Sequence, residues 1–222
     1  GWRNGPWYML DGSHPGACAW LREVFRVMRR EWGCRYFKLD ANVWGGFPFG
    51  RRHGAVTSVE AYRSGMAAIR DGAGEGAFIL GCNAPMWPSL GCCDGMRVTG
   101  DINRNWKTFR MLAAECFRRN WQHGRLWLND PDCAAHLLAS GGLVLSGDKI
   151  PELDGAARDT LRRLIRQAGT PARFLDPEFR TAVAERDGRT LYFFFNPGDA
   201  GVDFLSPLRV RLAAHSACVI EK

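Results

Sequence analysis

Apolar residues Leu21, Val24, Phe25, Met28 and Trp32 recur at spacings of three and four, which predicts an amphipathic helix over residues 15–32. Pro15 suits its first turn and Gly33 its C-terminal cap. The chain then enters Tyr36-Phe37-Lys38-Leu39-Asp40, a short apolar run that reads as a buried strand ending in a carboxylate. The same alternation repeats. A helical stretch over 59–70 precedes a strand at 78–82, and a further strand at 96–99 ends near Asp101. A helix over 109–119 precedes a strand at 125–129, and a short helix over 133–139 precedes one at 142–146. With residues 7–10 ahead of the first helix, about six strands are expected. Continuous apolar strands separated by helices predict a parallel α/β sheet.

The pattern changes after a last amphipathic helix over 154–168, whose apolar face carries Leu161, Leu164 and Ile165. Beyond Gly169, Asp187-Gly188 stands between Thr181-Ala182-Val183 and Leu191-Tyr192-Phe193-Phe194-Phe195, a hairpin signal. Alternating Leu208, Val210 and Leu212, then Ala217 to Ile220, predict further antiparallel strands. The expected organisation is therefore an α/β part over 1–169 and a small antiparallel β domain over 170–222.

Composition narrows the functional classes. The hydrophobic share of 46% and charged share of 24% fit a globular chain, and no run of about 18 apolar residues could cross a bilayer. The formal charge of +7 comes from Arg residues spread along 222 positions rather than from one basic block, which argues against a nucleic-acid partner. The eight cysteines lack the paired short spacings of a zinc site. They read as buried thiols, which favours a reducing, cytoplasmic setting. The first residues show no charged-then-apolar leader.

Polar residues cluster just after the predicted strands: Asp40 and Asn42, Cys82 and Asn83, Asp101, Asp130 and Asp132, then Asp148. One end of the sheet collects them, as a (β/α) barrel mouth requires, although an open doubly wound sheet would do the same. Lys38 and Asp40 lie two apart and so share a face of their strand. A neighbouring ammonium favours the ionised carboxylate that a nucleophile needs. A salt-bridged pair at a strand end is the alternative. Arg97 and Asp101 bring a second carboxylate to the same end, which permits a two-carboxylate glycosidase. The alternative is that Asp101 caps a helix at 102–104.

Five segments in order resemble the α-galactosidase (melibiase) superfamily, and are most similar to glycoside hydrolase family 36. They are Leu10-Asp11-Gly12-Ser13-His14-Pro15, the run from Trp32 to Asp40, Gly81-Cys82-Asn83-Ala84-Pro85, the run from Asp94 to Asp101, and Trp127-Leu128-Asn129-Asp130-Pro131-Asp132. The resemblance implies a retaining mechanism on terminal α-galactosides. Asp40 would be the nucleophile and Asp101 the general acid/base. It further implies that Lys38 and Arg97 contact sugar hydroxyls and that Cys82 lines the sugar pocket, with Asn42 and Asn83 as neighbours. No metal or organic cofactor is implied. Trp44, Phe47, Trp87 and Trp106 stand near strand ends where an aromatic ring could stack on sugar, although packing accounts for most of the nine Trp residues. Asp130 and Asp132 read as loop-capping residues ahead of sugar contacts.

The resemblance also implies the fold: an incomplete TIM-type (β/α) barrel of about six parallel strands followed by a small antiparallel β domain. A full barrel closes with eight strands, and the family's first two are not in this sequence. An incomplete barrel exposes sheet edges. A homo-oligomer, or a partner chain covering the open side, is the expectation that follows.

Overall fold

The computed structural model describes residues 8–48, 52–101, 106–131, 139–144, 150–166 and 169–222. Helix α1 spans Pro15–Arg30. Its first turn is capped by His14, whose Nδ1 accepts the Gly16 N–H at 3.0 Å. Arg29 and Arg30 occupy the last turn, where cations complement the helix dipole. Gly33, at φ 72°, lets the chain reverse so that the Cys34 N–H reaches the Met28 carbonyl at 3.0 Å.

Strand β1 (Tyr36–Leu39) buries Phe37 beneath α1, where its ring lies 5.2 Å from Phe25. Helix α2 (Ser58–Ala73) starts at a capping box. Thr57 Oγ1 accepts the Glu60 N–H at 3.2 Å, and Glu60 Oε2 accepts the Thr57 N–H at 2.7 Å. Strands β2 (Phe78–Gly81) and β3 (Gly95–Arg97) complete a parallel ladder. Tyr36 pairs with Phe78 and Leu39 with Gly81, while Leu80 pairs with Gly95. Buried Ile79, Leu80 and Met96 form its centre. Arg70 clamps the far end of α2 by donating to Asp94 at 2.8 Å, and Asp94 also accepts the Ile79 N–H at 2.7 Å.

Small residues on α2 let the two helices touch backbone to backbone. A Cβ on Gly72 would overlap the Arg22 carbonyl of α1. Gly72→Ala is therefore expected to destabilise the protein by about 1–3 kcal/mol, as overpacking of a rigid contact does. Urea unfolding should show a lower midpoint at unchanged slope.

The chain divides into two compact units, at Arg97 and Val98. In the second, the Val98–Thr99 stretch lies beside β4 (Leu128–Asp130). The Val98 N–H donates to the Asp130 carbonyl at 3.0 Å and Thr99 Oγ1 to the Pro131 carbonyl at 2.7 Å. Helix α3 (Trp106–Arg118) precedes β4, and α4 (Gly155–Arg166) follows it. The C-terminal strands are β5 (Arg173–Phe174), β6 (Thr181–Arg186), β7 (Arg189–Asn196), β8 (Val202–Phe204), β9 (Val210–Leu212) and β10 (Ser216–Glu221). They form an antiparallel sheet in the order β10-β7-β6-β5 and a separate β8–β9 hairpin. Asp187 and Gly188 take φ 51° and 74°, and Arg186 pairs with Arg189. This is the two-residue turn whose twist matches the strands it joins.

Alternation along β7 places its side chains in two cores. Phe193 and Phe195 meet Ala113 and Phe117 of α3, while Phe194 meets Phe204 and Leu212 of the hairpin. The second unit thus combines a helix of the α/β pattern with the C-terminal sheet.

Six parallel strands were expected, and four are assigned among the described residues. Tyr8–Leu10 carries no strand assignment; Tyr8 is 89% and Leu10 50% exposed, so neither is packed as a sheet residue. Residues 142–144 are likewise unassigned, although the Leu143 N–H bonds to the Asn129 carbonyl at 2.8 Å. The rest of that expected strand and most of the short helix over 133–139 lie outside the described residues.

Candidate active site

The alternation of β1 sets the site. Phe37 faces the α1 core, so Lys38 and Asp40 emerge together on the other face, both exposed. No ion pair joins them among the described residues, so the reading of a plain strand-end salt bridge is not met. The Asp40 carboxylate accepts the Ala41 N–H through Oδ1 at 2.7 Å. Ala41 itself sits at φ 58°, a left-handed conformation that costs a β-carbon residue free energy. The kink turns the chain sharply after the carboxylate and starts the 3₁₀ turn Asn42–Gly46.

Register brings the next strand end alongside. The Cys82 N–H donates to the Leu39 carbonyl at 2.8 Å, extending the β1–β2 ladder by one residue. Cys82 is 5% exposed. Burial pushes its thiol up to about 11; Arg97 and Lys38 oppose this, while a hydrogen bond to Asp40 and the charge of that carboxylate reinforce it. Lys38, Asp40 and Arg97 are therefore all within electrostatic reach of one thiol. A protonated, buried Cys82 is expected to react with iodoacetamide at pH 8 about a hundredfold more slowly than an unhindered thiol, which peptide mass spectrometry would read.

The loops after β1 and β2 interlock. The Val43 N–H donates to the Asn83 carbonyl at 2.8 Å, and a Cβ on Gly46 would press to 3.0 Å on the Pro85 ring. Asn83 takes φ 45° and is exposed. Trp44 is 45% exposed and meets Phe47 edge-on at 5.3 Å. The Asn42 amide nitrogen is buried in the turn, close to Tyr62. Tyr62 and Ser89 share a buried hydrogen bond of 2.7 Å, and burial pushes the phenol pKa up. This pair supports the loops from below and was not singled out in the sequence. Its spacing, 27 residues apart, leaves no local signal.

An apolar groove of about 660 Å³ runs beside the Asn42 turn, lined by Tyr8, Leu10, Leu21, Trp44, Tyr62 and Met66 among others. None of its lining residues is charged. Apart from Asn42 and Tyr62 its lining is apolar, and it holds no carboxylate, so the face that carries Asp40 and not this groove is the candidate active site.

Asp101 belongs to the second unit, where it is exposed and follows the Val98–Thr99 stretch. The helix it was expected to cap lies at 102–104, outside the described residues. Asp130 is fully buried, and so is Asn129, whose Nδ2 donates to the Arg119 carbonyl at 3.0 Å. Burial makes both part of the framework. Asp132 lies outside the described residues. Two other residues of the resembling segments also hold the fold. Asp94 makes the clamp described above. Asp11 accepts the Ser13 N–H, the Ser13 hydroxyl and the His53 N–H at 2.9, 2.7 and 2.7 Å. Burial raises the Asp11 pKa, but these hydrogen bonds and the Arg52 charge outweigh it and hold the carboxyl below the usual range.

No family model matches the chain. Among solved structures it is similar to a GH27 β-L-arabinopyranosidase from Geobacillus stearothermophilus, at 15% identity and TM-score 0.69, over 98% of this chain and 62% of that one. An isomalto-dextranase from Arthrobacter globiformis T6, complexed with panose, matches at 16% identity and TM-score 0.64, over 96% of this chain and 50% of that one. An α-galactosidase from Thermus thermophilus, complexed with p-nitrophenyl α-D-galactopyranoside, matches at 23% identity and TM-score 0.58, over 79% and 40%. The chain thus spans about three-fifths of the first of these enzymes, and less of the others. At such identities the likeness is one of fold. Parallel strands alternating with helices, followed by antiparallel strands, give this chain the fold of the α-galactosidase-type glycoside hydrolases: a partial (β/α) barrel with a β part after it.

Proposed function

We propose that this chain belongs to a retaining glycoside hydrolase of α-galactosidase type, most similar to family 36, that removes terminal α-linked galactose. The observation that carries this reading is the register that sets the ends of β1, β2 and β3 side by side, with Lys38, Asp40 and Arg97 within electrostatic reach of the Cys82 thiol. Lys38 and Arg97 offer charged donors to sugar hydroxyls on the side of the sheet where Asp40 emerges. Asn42, Asn83 and Trp44, on the loops that follow β1 and β2, complete the proposed sugar contacts. In the proposed organisation, residues 1–169 are the barrel part and 170–222 the C-terminal β domain.

In the first step the Asp40 carboxylate attacks the anomeric carbon and the bond to the leaving oxygen breaks, while protonated Asp101 gives that oxygen its proton. In the second, the Asp101 carboxylate takes a proton from water, the water oxygen attacks the same carbon, and Asp40 is released. Two inversions retain the configuration. The mechanism needs the two carboxyl groups about 5–5.5 Å apart.

Among the described residues β1 pairs only with β2, and the apolar groove lies beside the turn that follows it. A second copy or a partner chain covering this side accounts for both features. A monomer at micromolar concentration in a sizing experiment would overturn that part of the proposal. No helix among the described residues is long and apolar enough to cross a membrane. Seven free thiols among them fit a reducing compartment such as the cytoplasm.

A second reading rests on the 62% coverage of the arabinopyranosidase: a sugar-binding or self-associating barrel part without turnover. Hydrolysis of p-nitrophenyl α-D-galactopyranoside by the purified chain separates the two. Release of p-nitrophenol is expected; binding without release would favour the second reading.

A further inference from the structure

Trp87 is 61% exposed, yet the turn that carries it is held on several sides. Arg63 Nη1 donates to the carbonyls of both Pro88 and Leu90 at 2.8 Å. Ser89 Oγ donates to the Pro85 carbonyl at 2.8 Å and shares the 2.7 Å bond with Tyr62. Tyr62 and Arg63 stand in the second turn of α2. Because α2 connects two parallel strands, it starts at the end of the sheet where β1 finishes. Trp87 therefore stands at the end of the sheet that carries Asp40 and Cys82, a few residues after Cys82 on the loop that interlocks with the Asn42 turn. Here a rigid turn presents it to solvent, where it can bind a flat apolar surface with little loss of conformational entropy. A pyranose offers such a surface, the face formed by its axial C–H bonds.

We propose that Trp87 is the leaving-group contact of this site: its indole stacks on the pyranose attached through the bond to be cleaved. This rests on the glycosidase reading above and adds to it what the enzyme recognises beyond the galactose.

The test compares kcat/KM for a trisaccharide ending in α-galactose with that for α-D-galactopyranosyl fluoride, whose leaving group has no ring. Trp87→Ala is expected to shift the fluoride-to-trisaccharide ratio about tenfold against the trisaccharide, a typical worth for one aromatic contact. Trp87→Phe keeps an aromatic face and should hold the ratio within about threefold. Thermal unfolding of both variants checks that the exposed site has not altered the fold. An unchanged ratio in Trp87→Ala overturns the stacking role. If the wild-type chain hydrolyses neither substrate, the glycosidase reading has failed and calorimetry decides the stacking role separately. Trisaccharide binding that Trp87→Ala weakens upholds it; absent binding, or binding the substitution leaves alone, sinks it.

Discussion

Asp40→Asn lowers kcat for p-nitrophenyl α-D-galactopyranoside at least about 10⁴-fold, the scale on which losing a covalent nucleophile costs an enzyme. Asn matches the carboxylate in shape and can still accept the Ala41 N–H through its amide oxygen. Loss of rate with unchanged near-ultraviolet circular dichroism would then report chemistry and not collapse of the strand end. A further sign distinguishes attack by Asp40 from general electrostatic help. Asp40→Gly leaves space beside the anomeric carbon, and added azide should restore turnover by giving a galactosyl azide of inverted configuration, visible by NMR. Wild-type product should first appear as the α-anomer. Activity of Asp40→Asn within tenfold of wild type would remove this residue from the mechanism.

Asp101→Ala is expected to divide substrates by leaving group. With a sugar alkoxide to expel, proton donation is worth about 10²–10⁴-fold and most of the rate should go. With a fluoride or a nitrophenolate, which leave without a proton, glycosylation should fall much less. The alkaline limb of the pH profile should also vanish, because no acid remains to be kept protonated. Equal losses on both kinds of substrate would mean that Asp101 serves the fold, as buried Asp130 does. The pair of experiments also tests whether the two carboxylates act on one bond. Asp40 and Asp101 lie in different compact units, and a complementary pattern of effects would be their functional link.

Local periodicity made much of the first unit legible. The spacing of Leu21, Val24, Phe25 and Met28 predicts a helix over 15–32, and α1 spans Pro15–Arg30. The strand at 36–40 appears as Tyr36–Leu39 with Lys38 and Asp40 on one face, because side chains alternate wherever a strand forms. Asp187-Gly188 is legible for a different reason: few residues tolerate two successive positive φ angles. Thr57-Ser58-Val59-Glu60 also spells a capping box, and its fulfilment starts α2 at Ser58, close to the expected 59.

Other outcomes depended on partners distant in sequence. Residues 7–10 have an apolar strand pattern, but a strand needs a neighbouring backbone, and exposed Tyr8–Leu10 is not assigned to one. The Leu191–Phe195 run announces two covered faces without saying what covers them; α3 takes one and the β8–β9 hairpin the other. Asp130 reads as a strand-end carboxylate like Asp40, and only packing separates a buried framework residue from an exposed candidate. The sequence by itself determined the local conformations and the faces on which Lys38 and Asp40 emerge, because those follow from alternation and steric limits within a few residues. Tertiary structure alone decided that the Cys82 thiol meets Asp40 within electrostatic reach of Arg97, and that Trp87 is held out to solvent, because register between strands and hydrogen bonds from α2 join residues that no local pattern connects.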